Sequence, residues 1–157
     1  MHVRTQPVEQ VTIEIEQLVD DMIETMYAAP GIGLAGPQVG VPLRLFVIDL
    51  TAGAQAGNVI TMINPEFVER SGMQLEQEGC LSLPGFTATV ARPGHIVIKG
   101  LDRLGREQRI EASGLLARAF QHEMDHLEGR LFIDRLRGIK RGLIKRKVRT
   151  LARAGKW

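Results

Sequence analysis

Two histidines four residues apart, with a glutamate directly after the first, make His122-Glu123-Met124-Asp125-His126 the stretch of this chain best suited to chemistry. On a helix, residues at i and i+4 share a face with Cβ atoms roughly 5–6 Å apart, so both imidazoles can reach one divalent ion at about 2.0–2.1 Å. Glu123 would then set a carboxylate beside the ion, where hydrolysis needs a general base. The same five residues could equally decorate a solvated helix face, and a third ligand has to decide between the two readings.

Catalytic sites of this kind keep three protein ligands and one open position. Beyond His126 the only acids are Glu128 and Asp134, and no His or Cys follows, so a thermolysin-like arrangement finds little support. The longer H-E-x-x-H-x-x-G-x-x-H pattern is matched as far as Gly129, but Phe132 stands where its last histidine would be and cannot bind metal. The search therefore turns upstream, to Cys80 in Glu78-Gly79-Cys80-Leu81-Ser82. A thiolate suits soft and borderline divalent ions, although a lone cysteine taken singly is more often a buried structural residue.

Three stretches in order, GIGLAGPQ from Gly31, EGCLSLPG from Glu78 and QHEMDHLEG from Gln121, resemble the three motifs of the peptide deformylase family. The likeness covers nearly the whole chain, including the helix before the first motif and RLFIDRL after the third. It implies that Cys80, His122 and His126 bind the metal and that Glu123 acts as base on the attacking water. Iron(II) is the ion the family leads one to expect, with zinc or nickel able to use the same ligands.

The resemblance further assigns oxyanion contacts to the side-chain amide of Gln38 and the backbone N–H of Leu81. It assigns a methionine pocket to Ile32, Leu115 and Ala119, peptide contacts to Gly33, and a salt bridge behind the ligand loop to Glu78 and Arg92. The implied reaction is hydrolysis of the N-formyl group from the initiator methionine of nascent polypeptides, releasing formate. Two departures stand out: Ala35-Gly36 replaces the family's usual Ala-Ala, which should add backbone freedom beside the site, and family members carry an extended segment ahead of the Val3-Arg4 region. A reading from another class, a structural zinc module that binds ribosomal RNA, would need a fourth ligand, for which His95 is the evident candidate.

The elements that must position these groups follow from patterning. Thr12 can cap a helix with Glu14 and Glu16 in its first turn and Ile15, Leu18, Met22 and Met26 on one face, ending near Tyr27. The glycines and prolines between Pro30 and Pro42 are too dense for a regular element and predict a shaped loop. Apolar, β-branched runs at 43–50, 59–64, 86–90, 95–101 and 108–112 read as short antiparallel strands, with Asp102 to Gly105 as a hairpin loop. Ser113 caps the motif helix, Leu115, Leu116, Ala119 and Phe120 pack inward, and Gly129 stops it. A last helix at about 136–154 carries an imperfect stripe of Leu136, Ile139, Leu143, Val148 and Leu151. The class is α+β: irregular antiparallel strands around a central metal-binding helix, with a helix at each end.

With 157 residues and 44% hydrophobic content, residues 1–157 fit one metallohydrolase domain with a real core. One cysteine excludes an internal disulfide, and no apolar run approaches the roughly 18 residues of a membrane span. MHVRTQPVEQ has neither a signal-peptide core nor transit-peptide character, so a bacterial-type cytoplasm or an organelle interior is expected, and a monomer. The net charge of +2 hides an asymmetry: Arg135 to Trp157 holds ten Lys/Arg and no acid, leaving ten basic against eighteen acidic residues before it. Such a block can be an interaction tail, here for ribosomal RNA, or a solvated helix face.

Overall fold

The computed structural model describes residues 3–156; Met1, His2 and Trp157 lie outside the described residues. Chain order is α1 (Ile13–Ala28), β1 (Gly33–Ala35), β2 (Leu45–Ile48), β3 (Ile60–Ser71), β4 (Gln74–Gly79), β5 (Thr87–Arg92), β6 (His95–Leu101), β7 (Glu107–Ser113), α2 (Gly114–Leu127) and α3 (Ile139–Arg153). Short 3₁₀ turns, Gly36–Val39 and Phe132–Arg135, follow β1 and α2. The strands form an antiparallel five-stranded sheet ordered β1-β2-β3-β6-β7 and a separate β4-β5 hairpin.

β2 shows why the sheet is central. Phe46 and Ile48 point into a cluster with Phe120, Met124 and Leu127 of α2, while Leu45 and Val47 point into a second cluster with Val19, Met22 and Met26 of α1. A strand covered on both faces has no reason to alternate with polar residues, hence the unbroken apolar run. The α1 cap is as expected, Thr12 Oγ1 accepting the Ile15 N–H at 3.4 Å.

Three sequence expectations change in the first half of the chain. The Pro/Gly-rich stretch is not loop throughout, since Gly33–Ala35 pairs with Phe46–Ile48 as the edge strand β1. β3 continues to Ser71, passing Pro65 through a register shift between Ile63 and Glu66 where a missing N–H costs no ladder bond. Gly36 supplies close approach rather than freedom: a Cβ there would stand 2.8 Å from the carbonyl oxygens of both Val41 and Leu43. The chain start packs on this end of the sheet, Gln6 bridging to Leu43 and the Asn64 side chain bonding both the N–H and the C=O of Val8 at 2.8 Å.

α2 begins after Ser113, whose side chain makes no capping bond. It ends in a Schellman arrangement, with Arg130 N–H on the Asp125 carbonyl at 2.8 Å and Gly129 N–H on that of His126 at 3.1 Å. Gly129 takes φ 70°, which a glycine adopts without strain. A third apolar cluster joins Leu83, Ala88 and Val90 of the hairpin region to Leu131, Phe132, Ile133 and Leu136, with Ile144 and Val148 of α3 against it. The α3 stripe thus differs from the expected one: Ile139 and Leu143 are exposed, and Ile144 takes the inward place.

Candidate metal centre

α2 carries His122, Glu123 and His126 through the middle of the molecule, and the turn after β4 brings Cys80 to them. The Cys80 Sγ lies 3.3 Å from His126 Nε2, which lies 3.2 Å from His122 Nε2. All three ligand atoms fall within 4.8 Å of one another. Tetrahedral bonds of zinc-like length would separate such atoms by roughly 3.3–3.6 Å, so the trio fits one divalent ion with little adjustment. The donor set, one thiolate sulfur and two imidazole nitrogens, suits a borderline or soft ion.

His122 is oriented from behind. Its Nδ1 lies 3.0 Å from Glu78 Oε2, which fixes the tautomer with Nε2 turned to the cluster. The Glu78 carboxylate is gripped in turn by Arg92, through Nε on Oε1 and through Nη2 on Oε2 at 2.8 Å. Arg92 also donates to Asp125 Oδ2 at 2.9 Å, and Asp125 receives Arg135 at 2.7 and 2.5 Å. Arg92 is wholly buried and Glu78 and Asp125 nearly so. The Glu78–Arg92 pair is therefore an interior bridge rather than a surface one. On the other face of His122 the Phe132 ring stacks at 6.3 Å between centroids and 22° between planes, filling the place where the longer zinc motif would have a histidine.

Burial opposes charge throughout the cluster. It works against the Glu78 carboxylate, yet hydrogen bonds from Arg92 and His122 prevail and bring its pKa down to about 2. Burial also opposes protonation of His122, but hydrogen bonds to Cys80 and Glu78 push that imidazole up to about 10. Burial, then the facing His122 charge, presses His126 down to about 3. Burial raises Glu123 to about 7, against the pull of His122 and Arg92. Its Oε2 is buried without a hydrogen-bond partner, and its Oε1 lies where a Cβ on Gly33 would be only 2.4 Å away.

A cavity of about 500 Å³ opens over this cluster, lined by Ile32, Gly33, Gln38, Cys80, Leu81, Leu115, Ala119, His122 and Glu123 among others. Gln38 is held with its carbonyl accepting the Ala35 N–H at 2.8 Å, which turns the amide nitrogen toward Ser82 Oγ at 3.1 Å and Cys80 Sγ at 3.8 Å. Leu115, expected both as core and as pocket, is exposed and lines the cavity. His95 does not join the cluster: its ring lies by Glu111 at 2.8 Å and Ser71 at 3.5 Å. A closed four-ligand site thus has no fourth donor among the described residues.

A sequence model of the family described as polypeptide deformylase matches residues 1–142. The chain belongs to the peptide deformylase family. A peptide deformylase of Thermodesulfovibrio yellowstonii is 50% identical over 147 residues, covering 94% of this chain and 89% of the relative, and one of Xylella fastidiosa is 53% identical over 146 residues, covering 93% and 85%. Among solved structures, the Legionella pneumophila peptide deformylase superposes with TM-score 0.90 at 42% identity, covering 98% of this chain and 90% of that one. The Synechococcus elongatus enzyme in complex with actinonin gives 0.87 at 40%, covering 98% and 82%.

Within this family frame, sequence reasoning passed over Ser82, Arg118, Asp125 and Arg135. A signal was available for two of them. Arg118, His122 and Asp125 recur at i, i+4 and i+7, a polar stripe along one face of a largely buried helix, which marks a face turned toward buried charge.

Proposed function

We propose that Cys80, His122 and His126 hold the metal ion with which this deformylase hydrolyses the N-formyl group of the initiator methionine on nascent polypeptides, releasing formate. The observation that carries this assignment is the convergence of the three ligand atoms beside a buried carboxylate with an unpartnered oxygen. When bound, the ion supplies an activated water and polarises the formyl carbonyl. Glu123 takes the proton of the attacking water on its carboxylate and returns it to the departing amine nitrogen. Its raised affinity for a proton suits a group that must both accept and give one. Gln38 Nε2 and the Leu81 N–H donate to the developing oxyanion. The hydrogen bond from Ala35 to Gln38 Oε1 keeps the amide nitrogen on the side of the thiolate, so no reorientation is needed as charge forms.

The substrate backbone lies along Gly33 on the open edge of β1, and its methionine side chain enters the space bounded by Ile32, Leu115 and Ala119. Glu78, Arg92, Asp125 and Arg135 act behind the site by holding His122 in one tautomer and orientation. Iron(II) is the resident ion in this reading, with zinc or nickel accepted by the same donors. Anaerobic reconstitution with each ion, with metal content and formate release measured together, tests the reading; Cys80→Ala should lose both. Full metal occupancy and unchanged turnover in that variant would remove the assignment.

The enzyme works as a monomeric single domain in a bacterial-type cytoplasm, docked on ribosomal RNA through its basic end. α3 has exposed Ile139 and Leu143, and Ile144, Val148 and Leu151 are drawn inward with one cation, Lys145, so packing leaves most of its cations facing solvent. Truncation after Leu136 should leave short-peptide hydrolysis near normal and abolish ribosome co-sedimentation at low salt; undiminished co-sedimentation would overturn the docking. No helix among the described residues is long and apolar enough to cross a membrane.

A further inference from the structure

The β4-β5 hairpin separates two concavities and presents one continuous face to both. Register pairs Leu75 with Ala91, Gln77 with Thr89 and Gly79 with Thr87, and residues two apart on a strand share a face. At one end of this face Gln77 and Thr87 line the active-site cavity. At the other, Leu75, Thr89 and Ala91, joined by Met73, form one wall of a groove of about 1240 Å³. Met73 and Leu75 are 73% and 64% exposed and put apolar surface on this wall.

The opposite wall is cationic: Arg130, Arg135, Arg137, Lys140, Arg141 and Lys145. Three of these are committed. Arg135 serves Asp125, while Arg141 and Lys145 share Asp134, the groove's one acid, at 3.2 and 3.0 Å. Arg130, Arg137 and Lys140 have no side-chain partner among the described residues.

We propose that this groove binds the downstream part of the substrate itself, so that formyl-methionyl chains with acidic residues a few positions beyond the start are preferred. Chemistry argues for a polypeptide: one wall is largely apolar, the other cationic, and no aromatic side chain lines the groove to stack an unpaired base, so the RNA docking proposed above falls to the α3 cations outside the groove, Arg146, Lys147, Arg149 and Arg153. Geometry argues for the substrate. The face from Thr87 to Ala91 spans four residue steps, about 13 Å at strand rise, a distance that roughly four residues of extended chain cover. With the first few residues in the cleft, positions roughly five to eight come over the groove. The preference rests on the deformylation reading and adds a determinant remote from the reacting bond.

The test compares a formylated Met tripeptide with two ten-residue formyl-Met peptides identical except for four Glu or four Lys at positions five to eight. The Glu peptide should exceed both others in kcat/KM by about three- to thirtyfold, the yield of two or three exposed ion pairs, chiefly through KM, and should lose the advantage as salt rises. The double variant Arg137→Glu, Lys140→Glu should reverse the ranking of the two long peptides and leave the tripeptide untouched. Equal kcat/KM for the Glu and Lys peptides, or a Glu advantage that survives in the double variant, overturns the proposal, as does an RNA oligonucleotide that displaces no acidic peptide advantage yet protects the groove residues from modification. Tripeptide hydrolysis reports on the deformylation reading separately, since its absence would sink that reading whatever the long peptides do.

Discussion

Replacing Gly33 by alanine tests the placement of the proposed base without touching a ligand or the base itself. The added Cβ would stand 2.4 Å from Glu123 Oε1 and 3.0 Å from its Cδ. An ordinary carbon–oxygen contact lies near 3.4 Å, so the carboxylate has to retreat by about 1 Å, a misplacement that costs on the order of 10²-fold in rate. Gly33 has no left-handed φ, so the variant carries no backbone strain to confuse the result. Cys80, His122 and His126 remain, so metal content should stay at the wild-type level. Stopped assays of formate release, with metal analysis on the same samples, should show kcat down about 10²-fold, close to the at least 10²-fold loss expected for Glu123→Gln. Gly31→Ala is the control: its Cβ meets only the flexible tip of Leu81 at 2.8 Å, and the loss should be much smaller. If Gly33→Ala turns over within threefold of wild type while fully metallated, the reasoning that ties catalysis to the Glu123 position fails.

Other outcomes follow from buried charge. Arg92→Met leaves the Glu78 and Asp125 carboxylates buried without their shared cation, a change worth about 3–5 kcal/mol or roughly 6–20 °C in Tm; a calorimetric shift of only a degree or two would contradict it. The same variant should release metal to a chelator about 10–100-fold faster, because His122 loses its support. Asp49 offers a pH dependence away from the site. Its burial raises the pKa, but hydrogen bonds from Tyr27 at 2.6 Å, from Thr51 and from the Gly53 N–H prevail and hold it below the usual range. A carboxylate with a depressed folded pKa stabilises above its unfolded value near 3.9 and loses that stabilisation as pH falls through the folded one. Urea unfolding should therefore show wild type ahead of Asp49→Asn at pH 7 and the gap closing below about pH 4; a gap independent of pH would refute the linkage.

The sequence by itself singled out the candidate ligands, their order and the helix that carries two of them, because H-E-x-x-H spacing and helical periodicity are local properties of the chain. It also pointed to the central strands, whose short β-branched apolar runs are bounded by turn residues, and to the Asp102 to Gly105 turn, where Asp102 accepts the Leu104 and Arg106 N–H groups as expected of such a loop. It did not reveal β1 or β4. β1 hides among glycines that are there for close approach to Glu123 and Leu81, and β4 is polar because one face meets solvent and the other offers Glu78 to buried arginine. Only the tertiary structure decided that Cys80, forty-two residues before His122, lies against the motif helix, and that a chain of alternating charge runs behind it from buried Arg92 and Asp125 out to Arg135 at the surface. The physical reason is the same in each case: a charge looks alike in sequence whether solvated or buried, and its partner is fixed by packing between elements distant along the chain.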